Sequence, residues 1–201
     1  MRKVLGAVVL LVVLAAGWWA FALAGVAGLA SAASRGDVEA VARQTDWPAL
    51  TRSLSGQIAH AFLDQNPQFR KLLAVEQEFV GGAGAGAAEA LLRQMLTPDT
   101  IAELLSKGRA ALPGAGGADW RMPALGDAFR NGVWQAVRNS RFDGPLSFVV
   151  GLDGPEGRYG VHLHLDGATW RLSGLDVPEE ISARLARAIA ERVGSAEHRG
   201  G

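Results

Sequence analysis

The chain has 201 residues, with 20 Lys and Arg balanced by 20 Asp and Glu and a formal net charge of zero. That balance argues against a nucleic-acid binder, which carries a basic excess to neutralise phosphates. Cysteine is absent, which excludes a disulfide framework and a lipid-modified cysteine behind a leader.

Arg2 and Lys3 open onto an apolar run, Val4 to Leu23, that continues in small and apolar residues to Ala33. A membrane helix needs about 20 consecutive apolar residues, and this run supplies them. The early basic pair predicts a cytoplasmic N-terminus and places the rest of the chain outside the bacterial inner membrane. Ala20-Phe21-Ala22 and Ala30-Ser31-Ala32 offer small-x-small cleavage sites. The later one follows an apolar region much longer than the ~7–15 residues of a signal peptide, so an uncleaved anchor is the favoured reading. The expected division is 1–23 as anchor or uncleaved signal, 24–194 as one α+β domain and 195–201 as a flexible tail. Because ~20 residues suffice to cross, Ala24 to Ala33 is expected to continue as the domain's first helix, with Val26 and Leu29 against the core.

Gly36 suits the left-handed end of that helix and Asp37 the cap of the next. Arg35-Gly36-Asp37 also spells an adhesion tripeptide, but helix punctuation accounts for it. Asp46-Trp47-Pro48 reads as a turn, with Pro48 at the first position of a helix on which Leu50, Leu54, Ile58 and Phe62 recur at helical spacing. That pattern extends through Phe69, Leu72, Leu73 and Val75, interrupted at Asn66-Pro67. Gly81 to Gly86 reads as an interhelical link; a dinucleotide loop would have to follow a strand, and here helical sequence precedes it. Thr97-Pro98-Asp99 starts another helix that ends at Gly108. Leu112 to Pro123 reads as a Gly/Pro-rich loop carrying Trp120, and Leu125, Phe129, Val133 and Val137 as a short helix.

From Phe142 the period becomes alternating. Leu146–Val150, Arg158–Leu165 and Ala168–Leu175 read as strands of an antiparallel meander of three to four strands, the last two joined by a type I′ turn at Asp166-Gly167. Pro178-Glu179-Glu180 opens a final helix with Ile181, Leu185, Ala188, Ile189 and Val193 on one stripe and Arg184, Arg187 and Arg192 outside it.

The anchor with Trp18-Trp19, then Ser34-Arg35-Gly36-Asp37-Val38, Thr45-Asp46-Trp47-Pro48-Ala49-Leu50, Met95-Leu96-Thr97-Pro98, Asn139-Ser140-Arg141-Phe142 and Thr169-Trp170-Arg171-Leu172 followed by Val177-Pro178 come in an order that resembles a bacterial family of membrane-anchored envelope proteins, domain of unknown function 2939. The quoted elements extend over nearly the whole chain. The resemblance implies a single-pass or signal-bearing envelope protein with an α+β domain and no established catalytic residue or cofactor. The terminal hairpin with its late Trp also looks like cystatin-like and nuclear-transport-factor-like folds, an analogy of fold alone.

Two clusters invite a chemical reading. On a strand, His162, His164 and Asp166 share one face, a set that could hold a metal such as zinc. The competing reading puts Val161, Leu163 and Leu165 in the core and both histidines on the solvated face of a half-exposed sheet, and it is favoured. Trp47, Trp134 and Trp170 could line an apolar ligand pocket; anchoring helices on the sheet is the simpler role. No Gly-x-Ser-x-Gly or phosphate-cradling loop is present. The expected protein is non-catalytic and without cofactor. It sits in the inner membrane through Val4 to Leu23, with its domain on the periplasmic side, and acts through contacts with another envelope protein or the envelope itself. The alternative is binding of a small apolar or lipid-like ligand between sheet and helices.

Overall fold

The structure, a computed structural model, describes residues 2–65, 92–93, 96–111, 119–130 and 133–187. The break at Asn66-Pro67, the helical pattern beyond it, the glycine link 81–86, the end of the last helix and the tail 195–201 lie outside the described residues.

Helix α1 runs unbroken from Arg2 to Ser34 and is long and apolar enough to cross a membrane. The apolar residues from Val4 to Leu14 are exposed, while from Ala22 onward one face is buried through Leu23, Val26, Leu29, Ala30, Ala32 and Ala33. The helix ends where Gly36 takes a φ of 69°. The Asp37 N–H there donates to Ala32 O at 3.0 Å and the Gly36 N–H to Ala33 O at 2.9 Å, the paired bonds of a Schellman end. Asp37 then caps α2 (Val38–Arg43), its carboxylate accepting the Ala40 N–H. Residues 44–46 pair in parallel with Leu172, through Leu172 N–H to Gln44 O and Asp46 N–H to Leu172 O, both 2.8 Å.

Helix α3 (Trp47–Gln65) is capped by the Asp46 carboxylate, which accepts the Ala49 N–H at 3.0 Å. The helix therefore begins at Trp47, and Pro48 falls one position later than its sequence suggests. Helix α4 (Pro98–Lys107) starts on the Thr97 hydroxyl and stops at Gly108, with φ 68°. The stretch read as a loop, Leu112 to Pro123, contains a strand: β2 (Asp119–Arg121) pairs with β1 (Arg109–Ala111), just before that stretch, to make a small ribbon. Two three-residue strands are too short to express an alternating pattern. Short helices α5 (Asp127–Arg130) and α6 (Val133–Arg138) follow.

The main sheet is an antiparallel meander of β3 (Ser140–Gly144), β4 (Ser147–Gly154), β5 (Gly157–Asp166) and β6 (Thr169–Asp176), in chain order. Residues 179–187 form the last helix, α7, with Ile181 and Leu185 buried and Arg184 and Arg187 exposed. The architecture is α+β, as the change of period predicts. The β5–β6 turn differs from the Asp166-Gly167 expectation by one residue in position and also in type. Asp166 pairs with Thr169, so Gly167 and Ala168 are its central residues. Only Gly167 has a positive φ, 60°, which fits type II′ and not type I′.

Register places Phe142 opposite Phe148, Phe148 opposite Leu163, and Leu163 opposite Leu172. These residues, with Val150, Val161, Tyr159, Trp170 and Leu175, make one face of the sheet a continuous apolar wall in a core shared with Leu29, Leu50, Leu54, Ile101 and Leu104. The free edge of β6 is covered. Beyond the bridge at Leu172, Gln57 of α3 donates to Leu175 O at 2.7 Å and accepts the Val177 N–H at 3.0 Å. A side-chain amide thus satisfies backbone groups that an edge strand would leave open.

Candidate functional site: an aromatic junction and a histidine face

The first candidate lies where α1 meets the hairpin end of the sheet. A 3.6-residue period puts Trp18, Trp19 and Phe21 around the helix just before its buried face begins. Trp19 meets Phe142 and Phe148 edge-on, with ring centroids 5.3 and 5.6 Å apart. Trp170 lies 6.3 Å from Trp18 and 6.0 Å from Phe21, and Phe142 stacks at 4.8 Å from Phe148. These are favourable aromatic separations. Close approach depends on Gly25, where a methyl group would lie 2.6 Å from Trp170 Cβ. Glycine is thus required for contact between helix and strand, and not for any turn.

The three tryptophans singled out from the sequence do not converge. Trp170 is buried in the junction. Trp47 is half-buried against the core at the start of α3. Trp134 is 80% exposed on α6, because Ala136 and Val137 turn inward and position 134 lies about 200° around the helix from Ala136. The residues between sheet and helices, among them Phe148, Leu163, Leu172, Leu50 and Leu54, are fully buried and fill that space. The side chain of Trp120 lies outside the described residues.

The second candidate is the opposite face of the sheet. His162 and His164 stand there, and Val161 and Leu163 point to the core. Together with Asp46, Arg52, Asp143, Ser147 and Ser173 they line an open groove. The carboxylates are already engaged. His162 Nε2 is 2.6 Å from Asp176 Oδ2, Asp166 pairs with Arg171 at 3.1 Å and Arg141 donates to Asp143 at 2.9 Å. Asp176 reaches His162 across Gly160, where a methyl would sit 2.6 Å from its Oδ2. The Ser173 hydroxyl donates to His162 O at 3.3 Å. Among the described residues no group of three His, Cys, Asp or Glu is placed to hold a metal ion. Such a half-exposed pair fixes a side chain and contributes at most about 1 kcal/mol.

The titration of the Tyr159 hydroxyl is moved by its surroundings. Burial, with the nearby Glu156 carboxylate, pushes the Tyr159 hydroxyl above its ordinary value, partly offset by Arg184. That hydroxyl donates to Arg121 O at 2.5 Å and ties the β1–β2 ribbon to the sheet.

Sequence reasoning located Trp18-Trp19, Trp170 and both histidines. It missed Asp176 as the partner of His162, Gln57 as an edge clamp and Gly25 as the contact point. Each depends on residues far apart in the chain.

Fold and junction together define a class: an α+β domain that shares one long helix with an apolar segment of membrane-spanning length. Over residues 9–104 the chain matches the model of the family described as protein of unknown function (DUF2939), so in that stretch it resembles that family. The match takes in most of α1, then α2, α3 and α4 to Leu104, and is narrower than the run of sequence elements reaching Pro178. No match was found among curated proteins or solved structures.

Proposed function

We propose that the protein is a single-pass, non-catalytic component of the bacterial cell envelope, held in the inner membrane by the first part of α1 with its domain on the periplasmic side, and acting through contacts with another envelope protein. The observation that carries this reading is the change of environment along α1. Eleven consecutive residues, Val4 to Leu14, are apolar or glycine and are exposed all round the helix, and such a surface is stable only against lipid or another apolar partner. Arg2 and Lys3 support the orientation. On the domain, Trp134 is an exposed aromatic side chain at the end of the sheet away from the β3–β4 and β5–β6 turns, and supports a contact role.

A photo-crosslinking residue at position 134, in the full chain in its native membranes, tests the contact. A discrete protein adduct is expected. Adduct formation equal to that from a probe at exposed Pro155 would count against a specific contact. Turnover of a substrate by the purified full chain, abolished by His162→Ala, would overturn the non-catalytic reading.

A further inference from the structure

The length of α1 and the place where the domain first touches it do not leave room for a full membrane span clear of the domain. The fourteen residues from Val4 to Gly17 rise about 21 Å as a helix, whereas the hydrocarbon core is about 30 Å thick. The next turn and a half must complete the span, and that is the part of α1 on which Phe142, Phe148 and Trp170 pack. We infer that the hairpin end of the sheet is seated in the outer interfacial layer of the bilayer, so that the domain binds lipid directly in addition to being tethered. This rests on the anchoring reading above.

The chemistry of that end suits lipid. Its two turns, Pro145-Leu146 and Gly167-Ala168, are exposed and uncharged. Leu146 is 45% exposed, and Trp18 and Phe21 on α1 are 39% and 38% exposed. Outside α1, Leu146 and Trp134 are the large hydrophobic side chains exposed among the described residues. The acidic residues flanking the turns, Asp143 and Asp166, are each neutralised by an arginine, Arg141 and Arg171. Amphipathic aromatic rings beside paired charges fit the headgroup boundary. At the other end of the sheet the β4–β5 turn carries Asp153, Glu156 and Arg158, with Arg184 reaching Glu156, a surface that belongs in water.

The absence of cysteine makes the test direct. Leu146→Cys, Leu10→Cys and Pro155→Cys, each in the full chain, are labelled with an environment-sensitive fluorophore and reconstituted in phosphatidylethanolamine–phosphatidylglycerol vesicles containing a lipid that carries a spin label near the headgroup. Expected is quenching at position 146 several-fold stronger than at 155, with a blue-shifted emission at 146 and at 10. Lipid exposure at 10 with position 146 behaving like 155 would overturn the seated domain and leave the anchor standing. No lipid exposure at 10 or 146 would overturn both. Shielding of 146 from lipid-borne and aqueous quenchers alike would assign the surface to a protein contact and overturn the lipid assignment.

Discussion

The two halves of α1 are one apolar helix in two different surroundings. From Val4 to Gly17 every side chain faces outward, and from Trp18 to Ser34 the helix hides one face against the sheet and against α2 and α4. The first is rich in Val and Leu, the second in Ala with interspersed Gly and Ser. The second half differs in arrangement: Ala22, Val26, Leu29 and Ala33 fall at steps of three and four, and small residues admit close neighbours. A long apolar segment thus carries two instructions, and only spacing and side-chain size separate the part that meets a solvent from the part that meets a core.

The comparison is broken most severely by truncation. A chain beginning at Arg35 loses Val26, Leu29 and the Trp19 contacts from the middle of the core, and is expected to lack a cooperative thermal transition by circular dichroism. A chain beginning at Trp18 is expected to keep one. Retention of the same melting temperature by both would refute the dual role of the helix. Next in size, Leu29→Ala removes a fully buried side chain and should cost about 2–5 kcal/mol. Leu10→Ala, at an exposed site, should leave domain unfolding in detergent unchanged. Denaturant titration of the two full-length variants decides this.

How far the sequence discloses the molecule follows from the reach of each interaction. The caps at Asp37 and Thr97 and the stops at Gly36 and Gly108 depend on neighbours within five residues, and all are legible. The alternating stretch from Phe142 discloses the meander and puts His162 and His164 on the outer face, because strand parity is local. Asp-Gly announces a tight turn between β5 and β6 but neither its register nor its type, since the dipeptide suits several geometries and the pairing of Asp166 with Thr169 chooses among them. The β1–β2 ribbon is hidden by its brevity. The Gln57 clamp joins residues 118 and 120 positions apart, and no local pattern announces it. Trp134 shows the limit of composition: a tryptophan in an amphipathic stretch looks like core, and only its angular position on α6 puts it outside.

Glycine substitutions sharpen the comparison within the buried half. Gly25→Ala brings a methyl to 2.6 Å from Trp170 Cβ, close to the strand backbone and not at a flexible side-chain tip. The strain of overpacking, about 1–3 kcal/mol, outweighs the helix preference for alanine. Gly28→Ala, one turn on, meets nothing within 4 Å and should stabilise the helix by up to about 1 kcal/mol. Opposite signs in melting temperature are expected from the same chemical change three residues apart. Matching signs would mean that α1 does not contact Trp170 at Gly25.

The smallest effect asks whether the sheet's other attachment is independent of the helix. Tyr159→Phe removes the bond to Arg121 O and, with the carbonyl left without that donor, should cost about 1 kcal/mol. It should leave the fluorescence of the tryptophans packed at the α1 junction unchanged. The pH dependence has a definite sign. The folded Tyr159 hydroxyl holds its proton more tightly than the unfolded one, chiefly through burial, so folding is favoured fully below the ordinary tyrosine value and the contribution is lost as pH rises through it towards the folded value. Wild type should therefore lose stability above pH of about 10, and Tyr159→Phe should lose less over the same range, because the unfolded phenylalanine has no proton to release. Equal alkaline slopes for the two chains in denaturant titrations would show that the hydroxyl titrates alike in both states, and would locate the ribbon's attachment elsewhere.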